Sequence, residues 1–235
     1  MTVRIRRVTT TRSGGASAPP YDSFNLGDHV GDDPAAVAAN RRRLASSIGL
    51  APDHLIWMNQ VHGVRVETVD APLSGAVDAT DALVTSTPGL ALVVVTADCV
   101  PVLFGDARAG VIGAAHAGRV GAADGVVLRT IESMVSAGAH PADISVLLGP
   151  AVSGANYEVP EEMAADVEAR LPGSRTTTSA GKPGLDLRAG IARQLASVGI
   201  TAIDVDPRCT VADRALFSHR RGAPTGRLAS LIWME

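Results

Sequence analysis

The sequence predicts an α/β fold in which a mixed β-sheet core is flanked by helices, and three observations carry that expectation. Short aliphatic runs of strand length recur along the chain, separated by glycine and acidic residues. Longer stretches with apolar residues at helical spacing lie among them. The two kinds do not alternate strictly, which favours a mixed sheet over a doubly wound parallel one. With 46% hydrophobic but only 3% aromatic residues, the core must be filled by aliphatic side chains and alanine. No composition break divides the 235 residues, so a single domain over 1–235 is expected.

Residues 3–8 alternate apolar and basic side chains as a half-buried strand does, and 13–20 reads as a glycine-, serine- and proline-rich loop. Asp33 followed by Pro34 opens a helix, Val37, Leu44 and Ile48 share one face of it, and Gly49 ends it near residue 48. Arg41, Arg42 and Arg43 cannot share a face at about 100° per residue, so most of that run is expected in solvent. Strand-like runs follow at 55–58, 64–69, 82–85, 90–96, 100–104 and 111–115. The turn segment 105–110 makes 100–115 a hairpin or a bulged strand pair, and its wholly apolar arms require cover on both faces. A helix is expected over 122–137, closed by Gly138, and then a strand over 144–148. Helices over 160–171 and 187–198 and a closing strand over 228–233 complete the reading, the second helix marked by a stripe of Leu187, Ile191, Leu195 and Val198. No internal repeat, GxGxxG or P-loop is found.

Composition narrows the function. A net charge of -3 leaves no field to attract phosphate backbones or acidic membranes, so no nucleic acid and no membrane is expected as partner. Two cysteines make no disulfide framework, and the first residues lack the apolar core of a signal peptide, so a cytoplasmic protein is expected. The longest aliphatic run, 90–95, is far short of the ~18 residues that span a bilayer.

Three short segments place reactive side chains where an apolar run meets a glycine or proline turn: Asn59-Gln60-Val61-His62-Gly63, Thr96-Ala97-Asp98-Cys99-Val100-Pro101 and Ala115-His116-Ala117-Gly118. Such a junction can present a side chain from a core-anchored strand to a cleft. Two imidazoles and a thiolate form the donor set of a catalytic zinc site with an open fourth position. The spacings match no compact zinc-finger pattern, and two other readings stand beside this one. Each residue could be inert core or turn, or Cys99 could be a nucleophile with His116 as its general base.

In order along the chain, the segments SFNLGDHVGDD, NRRRL, NQVHG, DALVT, TADCVPVLF, AAHAG, LGPAVSGANYEV, RCT and LFSHRR…TGRLASLIW resemble the YfiH-like family, named for polyphenol oxidase or laccase activity. The resemblance spans nearly the whole chain and implies α/β/β/α layers. It implies zinc held by His62, Cys99 and His116. The implied chemistry is phosphorolysis of adenosine, inosine and methylthioadenosine, with phosphate as co-substrate, together with adenosine deamination; some bacterial members are linked instead to hydrolytic editing of peptidoglycan precursors. One block departs: where the family reads AHAGWRG, here stands Ala115-His116-Ala117-Gly118-Arg119-Val120-Gly121. The tryptophan is absent and the arginine stands one place early.

Ligand counting tests the laccase label. Multicopper oxidation needs about ten histidines, generally in His-x-His pairs, and this chain has six histidines and no such pair. The His-x-Glu and Pro-Cys-x-x-Cys pattern of a classical zinc deaminase is also missing. Around a zinc centre, Asp98 and Gln60 are the candidates for positioning catalytic groups, with a structural role for Asp98 as the alternative. Phosphorolysis needs at least one arginine in the pocket. Arg41, Arg220 and Arg221 are the candidates, with a solvated surface or capping role as the alternative for each. Asn25 is a candidate to orient a ribose hydroxyl or, equally, a turn former. Cys209 reads as a structural thiol and His219 as a candidate substrate contact. A monomer or weak homodimer is expected, and a non-catalytic binding module is the remaining alternative.

Overall fold

The computed structural model describes residues 2–235. The chain opens with β1 (Ile5–Thr9), α1 (Pro34–Ser47), β2 (Leu55–Ile56), β3 (Val66–Thr68), β4 (Ala82–Thr85) and β5 (Ala91–Thr96). The hairpin β6 (Val100–Asp106) and β7 (Val111–Ala117) leads into α2 (Arg119–Ala123) and α3 (Val126–Ser136). After β8 (Ser145–Leu148) come α4 (Glu161–Arg170), a ribbon of β9 (Arg175–Thr177) and β10 (Pro183–Leu185), α5 (Leu187–Ser197), β11 (Ala202–Val205) and β12 (Leu228–Met234).

Where periodicity gave one mixed sheet, the structure has two mixed sheets and the small ribbon. A four-stranded sheet runs β1-β12-β5-β2, and a six-stranded sheet runs β11-β8-β6-β7-β4-β3. Each contains both parallel and antiparallel neighbours. They pack face to face through Leu92, Val94, Ile232 and Met234 of the first and Leu83, Leu103, Ile112 and Ala114 of the second. Helix α1 covers the outer face of the first sheet through Leu44 and Ala45 against Val93 and Leu231. Helices α3 and α5 cover the second, with Val127, Ile131, Ile191 and Leu195 against Val84, Val102 and Phe104. The layers are therefore α/β/β/α, and the strands of both sheets at the centre are buried end to end. That two-sided cover explains the unbroken apolar runs.

Helix α1 begins as its sequence requires, with the Asp33 carboxylate accepting from the Ala35 amide and Pro34 in the first turn. The helix expected over 122–137 is two helices instead, because Gly125 takes a φ of 94° between α2 and α3 and breaks the ladder. Strands β9, β10 and β11 were not expected: the first two are three-residue pieces and β11 is an exposed edge. Among the described residues no helix is long and apolar enough to cross a membrane.

The far turn of the β6–β7 hairpin is held by Asp106. Its fully buried carboxylate accepts from the amides of Arg108, Ala109 and His140 at 2.9, 2.8 and 3.0 Å. Burial pushes this carboxyl up, but the three amides outweigh it and hold it below the usual aspartate range. Asp106→Asn is expected to cost about 2 kcal/mol at neutral pH, measured by urea unfolding. Because the native value is depressed, the wild-type advantage is full above the unfolded pKa of about 3.9 and fades as pH falls through the folded value. The two proteins should therefore converge in acid; a gap independent of pH would refute the charge-based account.

Candidate metal centre

The hairpin brings two of the three reactive side chains together by its register. Cys99 directly precedes β6, and His116 on β7 pairs with Pro101. His62 arrives from the loop before β3 in a left-handed conformation, φ 61°. The donor atoms of His62, Cys99 and His116 all lie within 4.8 Å of one another. Cys99 Sγ is 3.9 Å from His62 Nε2, and the two imidazoles meet edge to face with centroids 4.7 Å apart.

Asp81, at the head of β4, organises this meeting. Its carboxylate is fully buried and accepts from the amides of Val61, His62 and Gly63 at 3.2, 3.0 and 2.7 Å, which folds the His62 loop around it. One of its oxygens also lies 2.8 Å from His116 Nδ1, which leaves the other ring nitrogen, Nε2, to face the cluster. A carboxylate behind a histidine in this way fixes tautomer and ring orientation for metal binding. Burial pushes Asp81 up, yet the His116 ring and the loop amides prevail and keep it ionised. Glycine is demanded alongside: a Cβ on Gly118 would stand 2.8 Å from the His62 ring and 3.2 Å from Cys99 Sγ.

The electrostatics match a thiolate site. Burial alone would raise the Cys99 thiol, but His116 and His62 overcome it and bring it well below the ordinary thiol range. Burial would lower the His116 imidazole, but Cys99 and Asp81 raise it. Without metal the pair is thus a thiolate beside an imidazolium; the thiolate is already in its ligating form, and a metal binding here would displace the His116 proton. In a tetrahedral zinc site, bonds of about 2.0–2.3 Å place neighbouring donors some 3.5 Å apart. Two nitrogens and a sulfur already clustered this closely fit a borderline-soft divalent ion. His116 is nearly buried and His62 exposed, so the cluster spans from interior to opening. It opens onto a cavity of about 310 Å³ lined also by Asp98, Arg119, Val152, Tyr157, Leu187, His219, Arg220 and Arg227.

The other residues singled out from the sequence divide sharply. Asp98, Gln60, Arg220 and His219 line the cavity. Gln60, however, spends both ends of its amide on the backbone of Val95, at 2.8 Å each way, so it braces β5 rather than offering a catalytic group. Asp98, strained at φ 99°, accepts from the Thr210 hydroxyl and the Arg220 amide at 2.6 Å each. Asn25, Arg41 and Arg221 are not among the cavity-lining residues, and the substrate-binding reading of all three gives way. Asn25 is fully buried and ties Gly27, Asp32 and Arg227 together. Arg41 bonds the Leu26 carbonyl, pairs with Asp28 and stacks 4.0 Å over Trp57. Arg221 is consumed by the carbonyls of Thr210, Asp213 and Leu216. Cys209 accepts from the Ser153 amide at 3.3 Å, away from the cluster. Four site residues were missed, Asp81, Arg119, Tyr157 and Arg227. Each lay in or beside a block that carries the family resemblance, Arg119 as the departure noted there, and Asp81 also stood out as the lone acid opening an otherwise apolar strand.

A family model described as multi-copper polyphenol oxidoreductase laccase matches residues 6–235. The chain belongs to the YfiH-like, laccase-domain family. Bacillus licheniformis YfiH superposes with a TM-score of 0.92 at 33% identity, covering 98% of this chain and 93% of that one. Geobacillus stearothermophilus YlmD does so at 0.89 and 34%, covering 98% and 92%. A Mycobacterium tuberculosis relative bearing the name purine nucleoside phosphorylase is 72% identical over 235 residues, which is 100% of this chain and 94% of that protein. A Corynebacterium glutamicum relative of the same name is 59% identical, covering 98% and 94%. Despite the copper in the family's description, the described residues of this YfiH-like chain hold a single His/Cys cluster able to take a metal ion.

Proposed function

We propose that this chain is a zinc-dependent purine nucleoside phosphorylase that works in the cytoplasm on adenosine, inosine and methylthioadenosine. The observation that carries the reading is the His62, Cys99 and His116 cluster at the floor of an arginine-lined cavity of about 310 Å³. Relatives bearing that name at up to 72% identity support it. Bound by these three donors, zinc would supply a Lewis acid at the cavity floor.

In phosphorolysis a phosphate oxygen bonds to the anomeric carbon as the bond from that carbon to the purine nitrogen breaks. The bonding pair leaves on the base, which takes up a proton. The protein must hold an anion, shelter the sugar and keep water out. Guanidinium groups in the cavity provide the anion-binding charge. Val152 and Leu187 give the base an apolar wall. Asp98, with both carboxylate oxygens engaged, fixes the turn that carries Cys99 and anchors the backbone of Arg220. Asp81 keeps His116 in one orientation. The adenosine deaminase branch would instead add water at C6 of the adenine ring, the C6–N bond breaking and the amino group leaving as ammonia while the glycosidic bond stays intact.

The test is product identification after incubating pure protein with adenosine and with inosine, with and without phosphate. Ribose 1-phosphate formed only with phosphate is the expected result, and inosine from adenosine would establish deamination. No product from any purine nucleoside sinks the reading. One observation favours a second reading: Cys99, His116 and Asp81 stand in series, as the nucleophile, base and orienting acid of a thiol hydrolase do. Activity that survives exhaustive chelation would decide for it.

A further inference from the structure

Three arginines reach the cavity, and they differ in how far they are committed elsewhere. Arg227 donates to the Thr225 and Gly226 carbonyls and is part-buried. Arg220 sets its guanidinium 5.0 Å over the Tyr157 ring and donates to the Glu158 carbonyl. Arg119, the residue standing where the family block reads tryptophan, opens α2 and lines the same cavity as Tyr157. None of the three belongs to an ion pair among the described residues. The only carboxylate lining the cavity, that of Asp98, is already bonded through both oxygens.

Arg119 and Arg220 line the cavity half-buried and exposed, without a carboxylate partner, so their N–H groups are free to meet an anion that enters it. The place is also right for a reacting anion. Arg119 follows Gly118, whose Cβ position lies within 3.2 Å of Cys99 Sγ, so its side chain starts one residue from the donor cluster. We propose that Arg119 and Arg220, which line one cavity with the Arg220 guanidinium stacked on the face of Tyr157, form a clamp for inorganic phosphate. This rests on the phosphorolytic reading and adds to it: the arginine displaced by one position replaces an aromatic wall with half of the anion subsite. Each guanidinium fork can offer two N–H groups to one tetrahedral anion.

The test is a phosphate titration at saturating inosine on metal-loaded protein. Arg119→Ala is expected to raise the KM for phosphate about 10- to 100-fold while the KM for inosine stays within about twofold. Arg119→Lys should recover only part of the loss, because an ammonium lacks the planar fork. An unchanged phosphate KM, or an equal rise in both constants, overturns the clamp. Calorimetric titration of inorganic phosphate without nucleoside separates this idea from the reading beneath it. If wild type makes no ribose 1-phosphate yet binds phosphate, and Arg119→Ala does not, the clamp stands and the phosphorolytic reading falls. If the two proteins bind phosphate alike, the clamp falls whatever the turnover shows.

Discussion

Cys99→Ala is expected to yield a folded protein that retains no stoichiometric zinc and phosphorolyses inosine about a thousandfold more slowly, if at all. The thiolate is one of three donors, and losing one is worth roughly 4 kcal/mol of metal affinity, about a thousandfold in Kd. The fold should survive, since Cys99 lies at a strand entrance and in none of the apolar clusters. Metal content after gel filtration, turnover and thermal melting of the metal-free proteins check the three parts. A variant that keeps its zinc and its rate removes Cys99 from the centre. One that keeps its zinc but loses all activity points to the thiol as a nucleophile.

Asp81→Asn is expected to act on stability and on metal together. The substitution keeps the shape of a side chain that accepts three loop amides and faces His116 Nδ1 at 2.8 Å, but it presents an N–H₂ group where acceptors are needed. Leaving buried donors without partners costs about 3 kcal/mol or more, and loss of the carboxylate behind a histidine ligand weakens metal binding about 10- to 100-fold. Thermal melting without metal and competition against a chromophoric chelator measure the two separately. Wild-type metal affinity in this variant would show that Asp81 serves the loop alone.

These two residues also mark what a sequence can and cannot disclose. Cys99 and the two histidines could be read because each follows an apolar run and precedes a turn, and that pattern survives in one dimension. Asp81 occupies a similar boundary, yet nothing in the sequence says whether its carboxylate turns inward or to water, and only the inward choice gives it four partners. Arg41, Arg221 and Asn25 were drawn toward the substrate by their chemistry; in the fold, backbone carbonyls and amides claim them first. The apolar strands were legible, but which sheet each joins was not, because strands buried on both faces lose the alternation that would orient them. Gly125 looked tolerable inside a helix, and only its positive φ reveals the break. Without that break, α2, whose first residue Arg119 lines the cavity, would run on into α3.

The pairing of β6 with β7 works as a ruler whose zero mark is the turn at Asp106. His116 meets Pro101 because the strands are counted off, rung by rung, from Asp106 opposite Val111. A slip of one residue between the two strands would rotate His116 onto the helix-covered face of its sheet, some 20 Å from the turn where the count begins. The chemistry of the cleft is thus tied to a count of residues that begins at the opposite end of the hairpin, and the pairing of β7 with β4 on its other edge holds the same count.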